Sequence, residues 1–454
     1  MIERFFTERA LINFPEVLIL TTIPLQGALH MKNVKPLAGF RDLDQASFAA
    51  RTWLIEKATE VYRQYGYWQI ETPTIEREEI LQGQYGDEGD KLRYRFTDEG
   101  GRAVGLRYDL TVPFARFVAR FLPSGQIRLP YRRSQVAQVF RAESPQAGRF
   151  REFYQADFDI AGSDQPPADA EIIKVAYRLL EALGVDFIVQ INHRGVMNKL
   201  FSTYGLVEEQ IMPAMGEIDK LARLGSEEVR RRLVNFLEID EGTAELLMTD
   251  LGSEQPWGLL ERRIGQSQEF NQLTRIFELA TNGLASGRVK LDLSIVRGLA
   301  YYTGMVLETK VKGAERFGSI LSGGRFDETI GIFLGRQVPA VGASLGVDRA
   351  LEVLGHLQLL PAERAKVDFA VICLPDQLAH SMQTAERLRD HKLTVTLVIE
   401  PSLSRAFGVA SNSAKQAIII GETEFAQGRV IVKDLTTREQ RSISLEELFG
   451  ELVP

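Results

Sequence analysis

Between Gln45 and Tyr65 the apolar positions Phe48, Trp53, Ile55, Ala58, Val61 and Tyr62 recur along one helical face, and Gly66 supplies the usual stop. YWQIETPTIE (67–76) then reads as a strand, in which Pro73 marks a sheet edge or a crossing of the chain between sheets. YRFTDEGGRAVGLRYDL predicts a hairpin turning at Gly100–Gly101, and TVPFARFVARFL returns to helical period. Strands mixed with helices, without regular alternation, predict an α+β domain. From about 196 to 287 the chain is charged and helix-rich with no strand pattern, which predicts an inserted helical subdomain. Strand and glycine signals resume through Leu345, DRALEVLGHLQLL predicts a helix, and PAERAK (361–366) predicts a linker.

The tail follows another rhythm. VDFAVICL, LTVTLVI and QAIIIG read as strands, separated by the helical stretches DQLAHSMQTAERLRDHK and SLSRAFGVASNSA. Strict alternation of this kind predicts a three-layer α/β domain with a parallel sheet. GRVIVKDLTTREQRSISL predicts a closing hairpin. The predicted organisation is an extension (1–35, loosely ordered), a first domain (36–360, including the helical insertion) and a second (367–454).

Composition narrows the classes. With 44% hydrophobic and 25% charged residues the chain is an ordinary globular protein, which excludes disordered and fibrous architectures. A formal charge of −7 argues against a dedicated duplex-DNA binder. Cys373 is the sole cysteine, so neither a disulfide framework nor a thiolate metal site is expected, and a reducing compartment is. His30, His193, His356, His380 and His391 never fall at i, i+4 spacing, which argues against zinc. No stretch is apolar enough for a membrane span. The first thirty residues hold a short apolar run preceded by Glu8 and Glu16, a poor signal peptide, so Met31 is the expected initiator.

Four clusters carry chemistry. In GLRYDLTVPFARF, Asp109 and Thr111 lie two apart on one strand face; the alternative is a capped strand-to-helix junction. In FRAESPQAGRFREFYQADFDI, Arg141 and Glu143 share a strand face, and after a turn a second strand carries Arg149, Arg151, Gln155, Asp157 and Asp159. Two strands around a loop with an inward arginine suit a phosphate clamp, because guanidinium presents a fork of donors. Alternation sets Gln155, Asp157 and Asp159 opposite Tyr154 and Phe158. Such a row of acids is either solvated or lines a pocket for cationic or donor groups. LSIVRGLAYYTGMVLE holds Arg297, a structural ion-pair partner or a catalyst, and places Tyr301 and Tyr302 on opposite faces of a strand. Finally, Gly323–Gly324 is either a tight turn or a place for close ligand approach, and Gly342 and Gly346 lie on a strand entering a helix opened by Asp348–Arg349.

In this order the clusters resemble the class II aminoacyl-tRNA synthetases, and specifically the histidyl-tRNA synthetase family. GYWQIETPTIE resembles motif 1, FRAESPQAGRFREFYQADFDI motif 2, and VPAVGASLGVDRAL motif 3; RGLAYYTG and SGGRFD resemble the two histidine-specific signatures. The resemblance runs from about Pro36 to Leu445. It implies a class II antiparallel-sheet catalytic core with a helical insertion, followed by an anticodon-binding-like domain. It implies histidine–tRNA ligase activity with L-histidine, ATP with Mg2+, and tRNA(His), in a cytoplasmic homodimer with no DNA or membrane partner. Asp109, Thr111, Gln155, Asp159, Tyr301 and Tyr302 would surround histidine, with Arg141 on its carboxylate and the α-phosphate. Glu143, Arg149 and Arg349 would bind ATP, and Arg297 would be the catalytic arginine, also facing histidine.

Two other readings are weighed against it. A synthetase-like paralogue serves as regulatory subunit of ATP phosphoribosyltransferase; it typically lacks the tail and often loses the ATP residues, whereas this chain keeps the tail, Arg141, Glu143, Arg297 and Arg349. A catalytically idle RNA-binding or stress-sensor module is disfavoured by the same arginines. The chain departs from the family at Ala300 (usually aspartate), Phe326 (usually tyrosine) and Asp348 (usually glutamate). Its tail carries ten Lys/Arg against twelve Asp/Glu over 366–454, a modest attraction for RNA.

On a regular strand, position 300 would face away from Arg297, so an acid there would support neighbouring donors rather than pair with the arginine. Restoring it by Ala300→Asp should therefore change histidine-dependent pyrophosphate exchange by less than about tenfold. An inert wild type that Ala300→Asp switches on would mark a retired enzyme.

Overall fold

In a computed structural model of the protein, residues 34–145, 148–296, 301–361, 366–400 and 402–452 are described. The expected extension thus lies almost wholly outside the described residues, as do Arg297 and Ala300. The first helix spans Gln45–Gln64, capped by the Asp44 carboxylate, which accepts the Ser47 N–H at 2.8 Å. Its buried face carries Leu54, Ala58, Val61 and Tyr62, and the Tyr62 ring packs 5.0 Å from Phe158.

That face lies on an eight-stranded sheet. Its strands are β1 (Trp68–Gln69), β2 (Tyr131–Phe140), β3 (Glu152–Ala161), β4 (Phe187–His193), β5 (Val289–Leu291), β6 (Met305–Val311), β7 (Leu321–Arg325) and β8 (Ala340–Gly346). They lie in the order β1-β2-β3-β8-β7-β6-β4-β5. The six central strands are mutually antiparallel, and only the outer pairs β1–β2 and β4–β5 run parallel. The core is α+β, as expected.

Several boundaries differ from the pattern reading. YWQIETPTIE is two strands, not one: Trp68–Gln69 edges the large sheet, and Ile75–Arg77 joins a separate three-stranded sheet with Arg95–Thr97 and Ala103–Leu106. Pro73 sits in the crossing between them. The strand before Asp109 ends at Leu106, and Thr111 begins the helix Thr111–Phe121, so the two residues share a junction rather than a strand face. β2 ends at Phe140, leaving Arg141 and Glu143 in the connecting loop, because Gly148 (φ +71°) turns the chain back before β3. Arg149 and Arg151 likewise precede β3. Tyr301 and Tyr302 precede β6 and are not in a strand.

Between His193 and Val289 the described residues form helices and no strand, from Arg194–Ser202 to Gln268–Thr281. The last of these packs against the helix Pro166–Ala182. In the tail, β9 (Val367–Ile372), β10 (Val395–Val398), β11 (Ala414–Ile419), β12 (Arg429–Asp434) and β13 (Gln440–Ser444) form a second sheet in the order β10-β9-β11-β12-β13. The first three are parallel and the closing hairpin is antiparallel. Phe369 and Val371 pack with Ala385 and Leu388 of one helix, whereas Ala370 and Ile372 pack with Ala406 and Ala410 of the other. Alternation within β9 therefore buries both faces, which makes three layers.

One ion-pair network ties β7 to the helix Pro166–Ala182. Buried Arg325 donates to both oxygens of fully buried Asp169 (3.0 and 2.6 Å), to Asp327 (3.0 Å) and to the Ser163 carbonyl (2.9 Å). Arg325→Met would leave Asp169 buried without its cation, so chemical denaturation should show a loss of about 3–5 kcal/mol. An unchanged midpoint would mean that Asp169 is carried in its protonated form.

Candidate active site

The register of β2 on β3 sets Arg133 opposite Asp159 and Gln135 opposite Asp157. Arg133 has no exposed surface. Its Nη2 lies 2.7 Å from Asp159 and 3.6 Å from Asp157, and donates to the Leu110 carbonyl at 3.2 Å. The guanidinium covers the Phe114 ring at 4.5 Å. Gly342 on β8 pairs with Asp159, and a Cβ there would stand 2.0 Å from the Asp159 carboxylate. Only glycine leaves room for that side chain.

A third acid closes on the pair. Asp109 accepts the Val112 N–H at 3.1 Å, as the capped-junction reading requires, and the Tyr85 hydroxyl approaches at 3.4 Å. Thr111 and Tyr301 stand half-buried. The Tyr301 ring stacks on buried Phe326 (5.8 Å) and meets Tyr302 edge-on (5.2 Å). Tyr302 fits because residue 324 is glycine: a Cβ at Gly324 would meet the Tyr302 ring at 2.8 Å. The SGGRF glycines thus sit in β7 as packing clearance rather than forming a turn.

Burial pushes the Asp109 carboxyl up to about 6, opposed by the Val112 N–H and Arg141. Burial likewise raises Asp157 and Asp159, against the pull of Arg133. The Tyr302 hydroxyl is raised by burial and by the three carboxylates. Three acids share this site with Arg133 and Arg141, and burial makes each of them hold its proton more tightly than in water. Gln155 Oε1 and Asp157 Oδ1 are buried acceptors without a protein donor, while the Gln155 amide donates to Ser344 at 2.8 Å. Arg133 Nε and Nη1 and the Tyr301 hydroxyl are unpaired as well; an unpaired buried polar group costs about 1–3 kcal/mol, so this site suits a polar ligand that both donates and accepts.

A second recess of about 260 Å³ adjoins it through Ser344. Arg141, Glu143, Arg149, Phe153 and Arg349 line it, which gathers the four residues expected on ATP. The Arg141 guanidinium covers the Tyr108 ring at 4.3 Å, and its Nε donates to the Tyr108 carbonyl at 3.2 Å. Arg349 donates to the Ser319 carbonyl at 2.9 Å, and Arg149 approaches Glu143 at 3.8 Å. Guanidinium groups gathered in one recess suit an anion.

Of the expected site residues, Asp109, Asp159, Tyr301 and Tyr302 cluster with Asp157, Thr111 lies by Tyr301, Gln155 reaches Ser344, and Arg141, Glu143, Arg149 and Arg349 line the recess. Arg297 lies outside the described residues. Pattern reasoning missed Arg133, Tyr85 and Ser344. Arg133 has a signal once the β2–β3 register is counted, since a buried arginine must meet an acid; Tyr85 and Ser344 have none.

Residues 39–350 match the family model of histidyl-tRNA synthetase, and residues 368–453 that of the anticodon binding domain. The chain is 36% identical over 425 residues to a histidine–tRNA ligase of Rhodopirellula baltica, covering 90% of this chain and 95% of that one. It is 36% identical over 445 residues to a histidine–tRNA ligase of Wolinella succinogenes, covering 92% and 98%. Among solved structures, the histidyl-tRNA synthetase of Nostoc sp. PCC 7120 superposes with a TM-score of 0.81 at 28% identity, over 93% of this chain and all of that one.

The raised Asp109 carboxyl has a consequence for stability. The folded protein keeps a proton that the unfolded chain has released, so stability falls as pH rises from about 4 to about 6. Asp109→Asn removes that cost: it should melt higher than wild type above pH 6, and the difference should vanish below about pH 4. A variant that melts lower at pH 7.5 would show that the ionised acid is stabilising.

Proposed function

From membership of the histidyl-tRNA synthetase family, to which this chain belongs, we infer that it is an aminoacyl-tRNA synthetase joining histidine to tRNA with ATP as co-substrate. The observation that carries the site assignment is the abutment of an acidic pocket and a guanidinium-lined recess around Ser344. The amino acid's ammonium and imidazole would occupy the first, among Asp109, Thr111, Gln155, Asp159, Tyr301 and Tyr302. ATP would occupy the second, with Glu143 on the adenine side and Arg149 and Arg349 along the phosphates. Arg141 lies by both and would hold the histidine carboxylate against the α-phosphate.

The chemistry follows from that juxtaposition. A carboxylate oxygen of histidine attacks the α-phosphorus, the bond to pyrophosphate breaks, and histidyl-adenylate forms. Negative charge builds at phosphorus, and fixed cations, Arg141 and by family resemblance Arg297, stabilise it without a general base. A ribose hydroxyl of tRNA then attacks the acyl carbon and AMP leaves. Magnesium would come with the nucleotide, held by its phosphates; Glu143 and Asp348 are the carboxylates that line the recess.

Residues 36–360 would form the catalytic domain and 367–454 the anticodon-reading domain, with unpaired bases recognised by stacking and edge contacts despite the acidic balance. Trp68 (74% exposed), Ile75 and Phe96 leave apolar surface around motif 1, which supports a homodimer. No helix among the described residues is long and apolar enough to cross a membrane, which fits a cytoplasmic location. The regulatory-subunit alternative is less well supported, because the ligase relatives match across the tail as well as the core.

Purified protein should catalyse exchange of pyrophosphate into ATP with histidine and with no other amino acid, since a pocket of buried polar groups rejects ligands that leave them unpaired. Histidine binding without exchange would favour the regulatory role. Arg297→Ala should slow adenylate formation roughly 100-fold or more with little loss of histidine affinity. A normal rate per folded molecule, with a lowered melting temperature, would make Arg297 a structural ion-pair partner.

A further inference from the structure

The short segment before the first helix touches both walls of the nucleotide recess. Gly39 accepts the Arg151 N–H at 2.8 Å, and its φ of +86° brings it so near the Arg151 side chain that a Cβ would stand 2.7 Å from it. Arg151 in turn donates to the Glu143 carbonyl at 2.9 Å. Two residues on, Arg41 spans the two walls. Its guanidinium lies 3.2 Å from the centroid of the Phe150 ring on the motif 2 side. On the motif 3 side it pairs with Asp348 and approaches Glu352 at 3.8 Å. Asp348 is buried, and its other oxygen accepts the Tyr154 N–H at 2.7 Å. Phe150, Asp348 and Arg349 all line the recess.

We propose that Arg41 is a positioning residue for ATP: it clamps Phe150 to Asp348 and so fixes the width of the recess and the placement of Arg349. The inference rests on reading that recess as the nucleotide site. Asp348 is fully engaged by Arg41 and the Tyr154 amide, so its task is to receive the clamp. An aspartate, one methylene shorter than the family's usual glutamate, reaches Arg41 here while still accepting from the β3 backbone. The planar guanidinium matters twice, because one group stacks on a ring and pairs with a carboxylate.

The test is histidine-dependent pyrophosphate exchange by the full-length protein, with the KM for ATP and for histidine measured separately and ATP binding measured by calorimetry. Arg41→Met should raise the KM for ATP at least about tenfold while the KM for histidine stays within about twofold. Arg41→Lys should fall between, keeping the pairing with Asp348 but losing the flat contact with Phe150; it also serves if Arg41→Met folds poorly. Asp348→Asn should show the same selective loss, and the double variant should be no worse than the poorer single one, as for two residues acting through one contact. A lowered melting temperature with an unchanged KM for ATP, or fully additive losses, would overturn the clamp. Should wild type bind ATP but give no exchange, the ligase reading fails alone, and calorimetry decides: weaker ATP binding by Arg41→Met upholds the clamp, and equal binding overturns it. Wild type that does not bind ATP overturns both.

Discussion

A guanidinium with no exposed surface governs the charge of the whole pocket. Arg133 reaches Asp159 and Asp157 from the neighbouring strand and closes on the Leu110 carbonyl beside Asp109. Desolvating two carboxylates costs several kcal/mol each unless a cation and donors meet them. Arg133 meets part of that demand and leaves the rest open, which is the condition under which a donor-bearing ligand binds. The glycines of β7 and β8 follow from it: with Asp159 projecting over β8 and Tyr302 against β7, residues 342 and 324 have no space for a side chain.

The two pockets divide the electrostatics between them. One is lined by acids held above their ordinary range by burial, the other by three guanidinium groups, of which that of Arg141 covers an aromatic ring. Arg141 stands at the seam and its charge is felt in both. For a reaction that brings a carboxylate up to a phosphate, such partition keeps two anionic reactants near cations while the ammonium of one reactant is directed away from them.

Much of this was legible in the sequence, and for physical reasons. The tail alternation is readable because β9 is buried on both faces and its helices are amphipathic, so local pattern and tertiary environment agree. The motif strings are readable because each packs several constraints into a few residues, as Gly342 does through Asp159. What failed were strand ends: Arg141 and Tyr301 continue a strand-like pattern, but the ladder stops where Gly148 turns the chain and before Met305 begins β6. Arg133 and Arg41 escaped notice for a different reason. An arginine in a strand or before a helix looks solvated until the partner strand, or a helix some three hundred residues later, supplies its acid.

The pairing of β3 with β8 has a consequence for how the protein comes into being. Asp159 lies opposite Gly342, so the floor of the acidic pocket joins segments separated by the entire helical insertion. The insertion's helices can form from near neighbours in sequence, whereas the central sheet must close a very long loop before its contacts reward the lost entropy. During synthesis the two strands of the β2–β3 hairpin are available long before β8, and the β8 flank of Asp159 can be covered only once residue 346 has left the ribosome. A nascent chain therefore lacks a complete pocket floor until β8 has been made, and competence for substrate arrives late.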